Sequence, residues 1–288
     1  MARRFGLFLV IEGKKTEPWF YDEICMASPK IRNLKYAVYP VETVARGATG
    51  GGKTQVFQVF DEVRKSGALS HRTAANQAAV MFCVDADHDR IIGGMRRSKN
   101  ITYTALPDVE AHIFDDFDIE VFLRRSYSAC DADLRSFSNS LRDWRNGVAR
   151  QWRPWFEMCL TAHYCGLRDP SPGTPPRVLP ACGSVEPTGL THLEKKIIAA
   201  VGSSRYAIEH KRAISDLDKL YIRNHEYKLL KGKWLPSQLL RIANGNAHAL
   251  GLPKLKSAEA VLEAVKGAAK FEPRTTKYFH SRFEALFD

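Results

Sequence analysis

Two apolar runs of strand length, Phe5–Ile11 and Ala78–Val84, each end abruptly in a carboxylate, Glu12 after the first and Asp85 after the second. Continuous apolar runs this short, bounded by polar residues, predict strands buried on both faces. After Glu12, Trp19, Phe20, Ile24 and Cys25 recur at helical spacing behind Thr16 and Pro18, which suit a helix start. A second strand is expected over Lys35–Ala45. A second helix follows the glycine-rich loop, with Val56, Phe57, Phe60 and Val63 on one face. Asn100–Leu106 predicts a fourth strand, and Asp115–Tyr127 opens a helix. Alternating β and α elements with buried strands imply an α/β fold with a largely parallel sheet.

The pattern changes near residue 126. Ser136–Leu167 is helical in character, Arg168–Gly189 is too rich in Pro and Gly for regular structure, and helical patterns resume at Leu190, Arg212, Ser237 and Ser257. The expected division is residues 1–126, an α/β catalytic domain, and residues 127–288, a mainly α-helical domain. No internal repeat is evident.

Charge narrows the partner. Forty-three Lys and Arg against 32 Asp and Glu leave a net +11, which favours a polyanion, most simply nucleic acid. No run approaches the ~20 apolar residues of a membrane span, and Glu12 stops the N-terminal run without a cleavage site of small residues, so a secretory signal is not expected. The six cysteines form no CxxC pair, which fits reduced thiols in a cytoplasm. Cys159, His163, Cys165 and Cys182 match no common zinc spacing.

In a parallel α/β sheet the ligand site lies at the carboxyl ends of the strands. Glu12, Asp85 and Asp87 are therefore expected to converge there, and their mutual repulsion calls for a hard divalent cation, Mg²⁺ or Mn²⁺. Such a centre activates water for attack on a phosphodiester. Asp118 and Glu120 would add ligands for a second metal if their helix start lies beside the same edge. Taken singly, acids at strand ends are often helix caps. The segment "VDADHD" lacks the glycine and closing glutamate of a calcium loop.

The segments "FLVIEGKKTEPWFY" and "FCVDADHD" resemble the TOPRIM domain of topoisomerases, primases and OLD-type nucleases, whose signature is Glu-Gly after the first strand and Asp-x-Asp after a later one. Glu12 to Pro18 looks especially like the nuclease RloB. "DIEVFL" and "LLKGKWLPSQLL" resemble AriB, the TOPRIM nuclease effector of PARIS anti-phage defence systems. The TOPRIM resemblance covers about the first 125 residues and implies a Rossmann-like domain in which Glu12 is a metal ligand or general acid/base and Asp85 and Asp87 are ligands. Glu17 stands one residue further from Glu12 than in many OLD-type proteins. Two Asp-x-Glu pairs compete for the third acidic element, Asp108/Glu110 and Asp118/Glu120; the latter is preferred because apolar helix residues follow it directly. The AriB resemblance implies a toxic effector acting on RNA such as tRNA, or on DNA, held silent by an ABC-type ATPase partner, and a homodimer would fit the family.

The stretch Gly47-x₄-Gly52-Lys53-Thr54 has the spacing of a phosphate-binding P-loop. The strand expected before it is poor, interrupted by Glu42, Thr43 and Arg46, so Lys53 at a helix N-terminus is more readily assigned to a nucleic-acid phosphate. Lys14, Lys15, Arg90, Arg124 and Arg125 are expected near the acidic edge, where they would guide a phosphate backbone. Lys231 and Lys233 are candidate transition-state cations. Trp144, Trp152 and Trp155, interleaved with arginines, fit either base stacking or a core. Two rival functions stand beside the metal nuclease: a nucleotide-binding regulator using the P-loop-like segment, and a non-catalytic nucleic-acid-binding module.

Overall fold

The computed structural model describes residues 6–45, 52–73, 76–127, 131–167, 170 and 185–288. Gly47 and its neighbours in the glycine-rich loop, Cys130, Cys182 and most of the Pro/Gly-rich connection lie outside them.

The first apolar run forms β1 (Leu7–Ile11), in which Leu7, Leu9 and Ile11 are fully buried. It lies between two parallel neighbours, β2 (Tyr36–Pro40) and β4 (Gln77–Val84), with Ile11 opposite Pro40 on one side and Cys83 on the other. The far edge of β4 is shared. Antiparallel β3 (Ser70–Arg72) pairs its first half and parallel β5 (Ile101–Tyr103) its second. Parallel neighbours need crossover connections. These are α1 (Glu17–Met26) with α2 (Pro29–Leu34), and α3 (Val41–Val44) with α4 (Gly52–Lys65).

Side-chain alternation gives each sheet face its own core. Val10, Phe82, Val84, Ile101 and Tyr103 pack with Val56, Val59 and Phe60 of α4. On the other face Tyr21 of α1 hydrogen-bonds Cys83. There Phe20 and Tyr21 meet Phe279 of α15 (Pro273–Glu284) edge to face, at 5.6 and 5.8 Å.

Local chemistry explains where elements depart from expectation. A second short helix that the pattern did not announce follows the first, because the Ser28 hydroxyl accepts from the Ile31 N–H and Pro29 opens α2. The second strand stops at Pro40 and turns into α3 instead of running to Ala45. β3 is wholly exposed and polar, Ser-His-Arg, so it carries no hydrophobic alternation to read.

The chain divides into two units, 1–86 with 95–112 and 270–288, and 87–94 with 113–269. The single cut expected near residue 126 is thus replaced by a discontinuous division. Its cause is long-range packing: fully buried Phe279 and Phe283 bring α15 to the sheet unit, which no local change of composition announces.

The second unit is helical. It contains α5 (Asp89–Ile92), the end of α6 (Val109–Asp115), and then α7 (Ile119–Ser126), α8 (Asp131–Leu141), α9 (Trp144–Gln151), α10 (Arg153–Tyr164), α11 (Pro187–Val201), α12 (Ser203–Tyr221), α13 (Leu235–Ala249) and α14 (Ala258–Lys266). Met158, Ala162 and Cys165 pack against Ile197 and Tyr206, joining α10 to the α11–α12 hairpin. Trp144, Trp152 and Trp155 are buried, so they are core residues and not a stacking platform. Their neighbouring arginines are used internally: Arg145 pairs with Asp115 and covers Tyr227, Arg150 pairs with buried Glu226, and Arg153 bridges Glu157 and Asp218.

Candidate metal centre at the strand ends

Chain order runs outward in opposite directions from β1 and β4, to β2 on one side and β5 on the other. The carboxyl ends of β1 and β4 therefore form the topological switch point, where open α/β sheets bind ligands. Glu12 follows β1 and Asp85 follows β4, and the two are joined: the Glu12 Oε1 accepts from the Asp85 N–H at 2.8 Å. The next turn is also tied down. The Ala86 N–H donates to the Thr104 hydroxyl at 2.8 Å, and the Tyr278 hydroxyl donates to the Tyr103 carbonyl at 2.8 Å.

Both motif glycines are explained by carboxylates. A Cβ on Gly13 would lie 2.5 Å from the Glu17 Oε1, because the Glu17 carboxylate folds back onto the backbone N–H groups of Gly13 and Glu12. Gly52, at φ +55°, opens α4 with its Cβ position 3.3 Å from the Glu12 Oε2. The positive end of that helix thus faces the Glu12 carboxylate.

The electrostatics are those of acids crowded with little water. Burial first, and then the charge of Glu110, push the Glu17 carboxyl above its ordinary value, against the hydrogen bonds from Gly13 and Glu12. Tyr21 is driven well above its ordinary value by burial, then by Cys83, Glu17, Asp85 and Glu12, so it stays a neutral phenol beneath the acids. Tyr21 was not among the residues that the sequence pattern singled out. Among the described residues no three His, Cys, Asp or Glu side chains are gathered into a metal-holding group. The donor chemistry, hard carboxylate oxygens, is of the kind that Mg²⁺ or Mn²⁺ takes.

The two Asp-x-Glu pairs separate. Asp108 caps α6 by accepting from the Ala111 N–H at 2.8 Å, and Glu110 in the first turn is the acid acting on Glu17. Beside them His112 accepts two N–H groups, from Ala105 and Leu106, on its Nε2 at 3.0 and 3.1 Å. The preferred pair lies in the helical unit, where Asp118 caps α7 by accepting from the Glu120 and Val121 N–H groups and Glu120 is exposed. Helix capping accounts for Asp118 there. Glu110 is the acid that the structure sets beside Glu17.

Asp87, two residues after Asp85, belongs to the helical unit. It takes a left-handed backbone, φ 47°, and pairs with Lys231, whose side chain is only 15% exposed. Next to it, buried His88 donates from its Nε2 to the Leu229 carbonyl at 2.9 Å, and burial pushes its pKa down to about 4. Lys231 is thus a counter-ion of Asp87.

The remaining basic candidates are divided. Lys14, paired with Glu42 at 2.9 Å, exposed Lys15, and Lys53 at the start of α4 belong to the sheet unit. Exposed Arg90, Arg124 and Lys233 belong to the helical unit, as does Arg125, which donates to the Gly267 carbonyl beyond α14. The P-loop comparison weakens on geometry. The strand before the loop turns into α3, and a carboxylate, that of Glu12, approaches Gly52 where a P-loop would hold phosphate. Among the described residues no helix is long and apolar enough to cross a membrane. Comparison with family models, with curated proteins and with solved structures finds no match to this chain.

Proposed function

We propose that the chain is a metal-dependent phosphodiester hydrolase, a TOPRIM-type endonuclease acting on nucleic acid. The observation that carries this reading is the Glu12–Asp85 hydrogen bond at the switch point of the parallel sheet, with the Glu110 charge acting on the buried Glu17 carboxyl beside it. Glu12 and Asp85, supported by Glu17, would hold Mg²⁺ or Mn²⁺. The ion would supply Lewis-acid polarisation of a phosphodiester and a water acidic enough to attack it. The α4 N-terminus orients the Glu12 carboxylate, Tyr21 closes the floor of the site against water, and Lys14, Lys15 and Lys53 draw the phosphate backbone toward the sheet edge. On the AriB resemblance the substrate is RNA, including tRNA, and the activity belongs to a homodimeric anti-phage effector restrained by a partner ATPase.

The test is cleavage of labelled tRNA, single-stranded RNA and plasmid DNA with Mg²⁺ or Mn²⁺, comparing wild type with Glu12→Gln at matched folding. The expected result is cutting by wild type, abolished by EDTA and reduced at least 100-fold in the variant, as removal of one group that stabilises developing charge typically costs about 10²–10³. Equal cutting by both proteins would refute the assignment. Salt-sensitive binding without cutting, and without Glu12-dependent toxicity in a host, would favour the non-catalytic module.

A further inference from the structure

The α11–α12 hairpin belongs to the helical unit, and the cations of α12 stand further into solvent than its acids. On α12 and just beyond it, Arg205, Lys211, Arg212, Lys219 and Arg223 are exposed, whereas the acids Glu209, Asp216 and Asp218 are only half-exposed. The acids are held from within the unit: Asp218 by Arg153 at 2.7 Å, Asp216 by the Tyr164 hydroxyl at 2.8 Å and by Lys219, and Glu209 by Arg212 at 3.7 Å. The Arg212 guanidinium lies over the Tyr164 ring at 4.1 Å and remains 61% exposed, and Lys219 remains 66% exposed. Among the described residues no ion pair engages Arg205, Lys211 or Arg223.

At about 100° per residue these five cations fall within one stripe roughly 120° wide, opposite the buried Tyr206, Ala213 and Leu217. Arg205, Arg212 and Lys219 are seven residues apart in succession, so they repeat at about 10 Å along a line about 21 Å long. Ile208 and Ile222 lie in the same stripe, 69% and 81% exposed. Two isoleucines among five cations are not the broad apolar face of a helix that lies in a membrane surface. A row of exposed cations along one helix is complementary in charge to a phosphate backbone.

We infer that the outer face of α12 is a nucleic-acid docking surface that takes a phosphate backbone through Arg205, Lys211, Arg212, Lys219 and Arg223. It acts through charge and spacing, without base readout, and it requires no catalysis.

The experiment is fluorescence-anisotropy titration of a labelled RNA duplex with the full chain in EDTA, across a salt series. The triple variant Arg205→Gln/Lys211→Gln/Arg223→Gln is compared with Lys254→Gln/Lys256→Gln/Lys277→Gln, which removes equal charge from other exposed positions. Loss of up to three phosphate contacts is expected to lower the log–log salt slope by roughly two and weaken binding at least tenfold at low salt, while the control triple shifts far less. Equal weakening by both triples, an unchanged slope, or no binding by wild type would overturn the inference. So would phosphatidylserine vesicles that lose binding to the α12 triple while RNA binding is unaffected. Because cleavage is not read, failure of the nuclease assignment leaves this result separately interpretable.

Discussion

Three residues carry most of the testable chemistry. His88 is buried neutral, so the unfolded chain binds a proton that the folded chain refuses between its ordinary value and about 4. The sign follows directly: stability is lost as pH falls from about 6.5 to 4, by up to roughly 3 kcal/mol. Denaturant titrations across that range are expected to show the loss in wild type and a flatter profile in His88→Gln, which keeps a donor for the Leu229 carbonyl. Glu17 has the opposite sense. Its raised value means that the folded state holds the proton more tightly, so its penalty is present at neutral pH and relieved as pH falls through that value. Metal-free Glu17→Gln should therefore melt above wild type at pH 7, with the gap closing as pH falls through the raised Glu17 value; a lower melting temperature at pH 7 would remove the crowded-acid reading. The position of Glu12 was legible because one acid directly after a buried strand stands out, whereas Tyr21 and Glu110 required knowing which side chains fold back onto the same edge.

At the scale of elements, the packing of α4 and α15 carries its own consequences. Gly52 opens α4 in a left-handed conformation with the Glu12 carboxylate close to its Cβ position. Gly52→Ala should cost about 1–2 kcal/mol in chemical denaturation and disturb Glu12, whereas Gly67→Ala, also at positive φ but in open space, should cost stability alone. Phe279 is fully buried against Phe20 and Tyr21. Phe279→Ala is expected to lose about 3–5 kcal/mol, as much as a central core residue, and an effect below 1 kcal/mol would show that α15 is not integral to the sheet unit. Helices and strands with strong periodicity were readable from the chain. Those set by one cap or one proline, such as the break at Ser28 and the stop at Pro40, were visible only as possible punctuation, and the polar edge strand β3 had no readable signal.

At the scale of the whole molecule, the excess of positive charge and the exposed cations of α12 predict nucleic-acid binding that weakens steeply with salt. The amino-acid sequence by itself determined the alternating α/β order, the helical character of much of the remainder, and the placement of Glu12 and Asp85 directly after buried strands, because period and run length are local properties. Tertiary structure alone decided that β1 and β4 are neighbours at a switch point, that the C-terminal helix joins the sheet unit, and that Glu110 is the acid beside Glu17. It also decided that the tryptophans are core and that Asp87 is balanced by Lys231. These are pairings between residues distant in sequence, settled by which apolar faces bury one another and which charges are left to be compensated, and no local pattern encodes that choice.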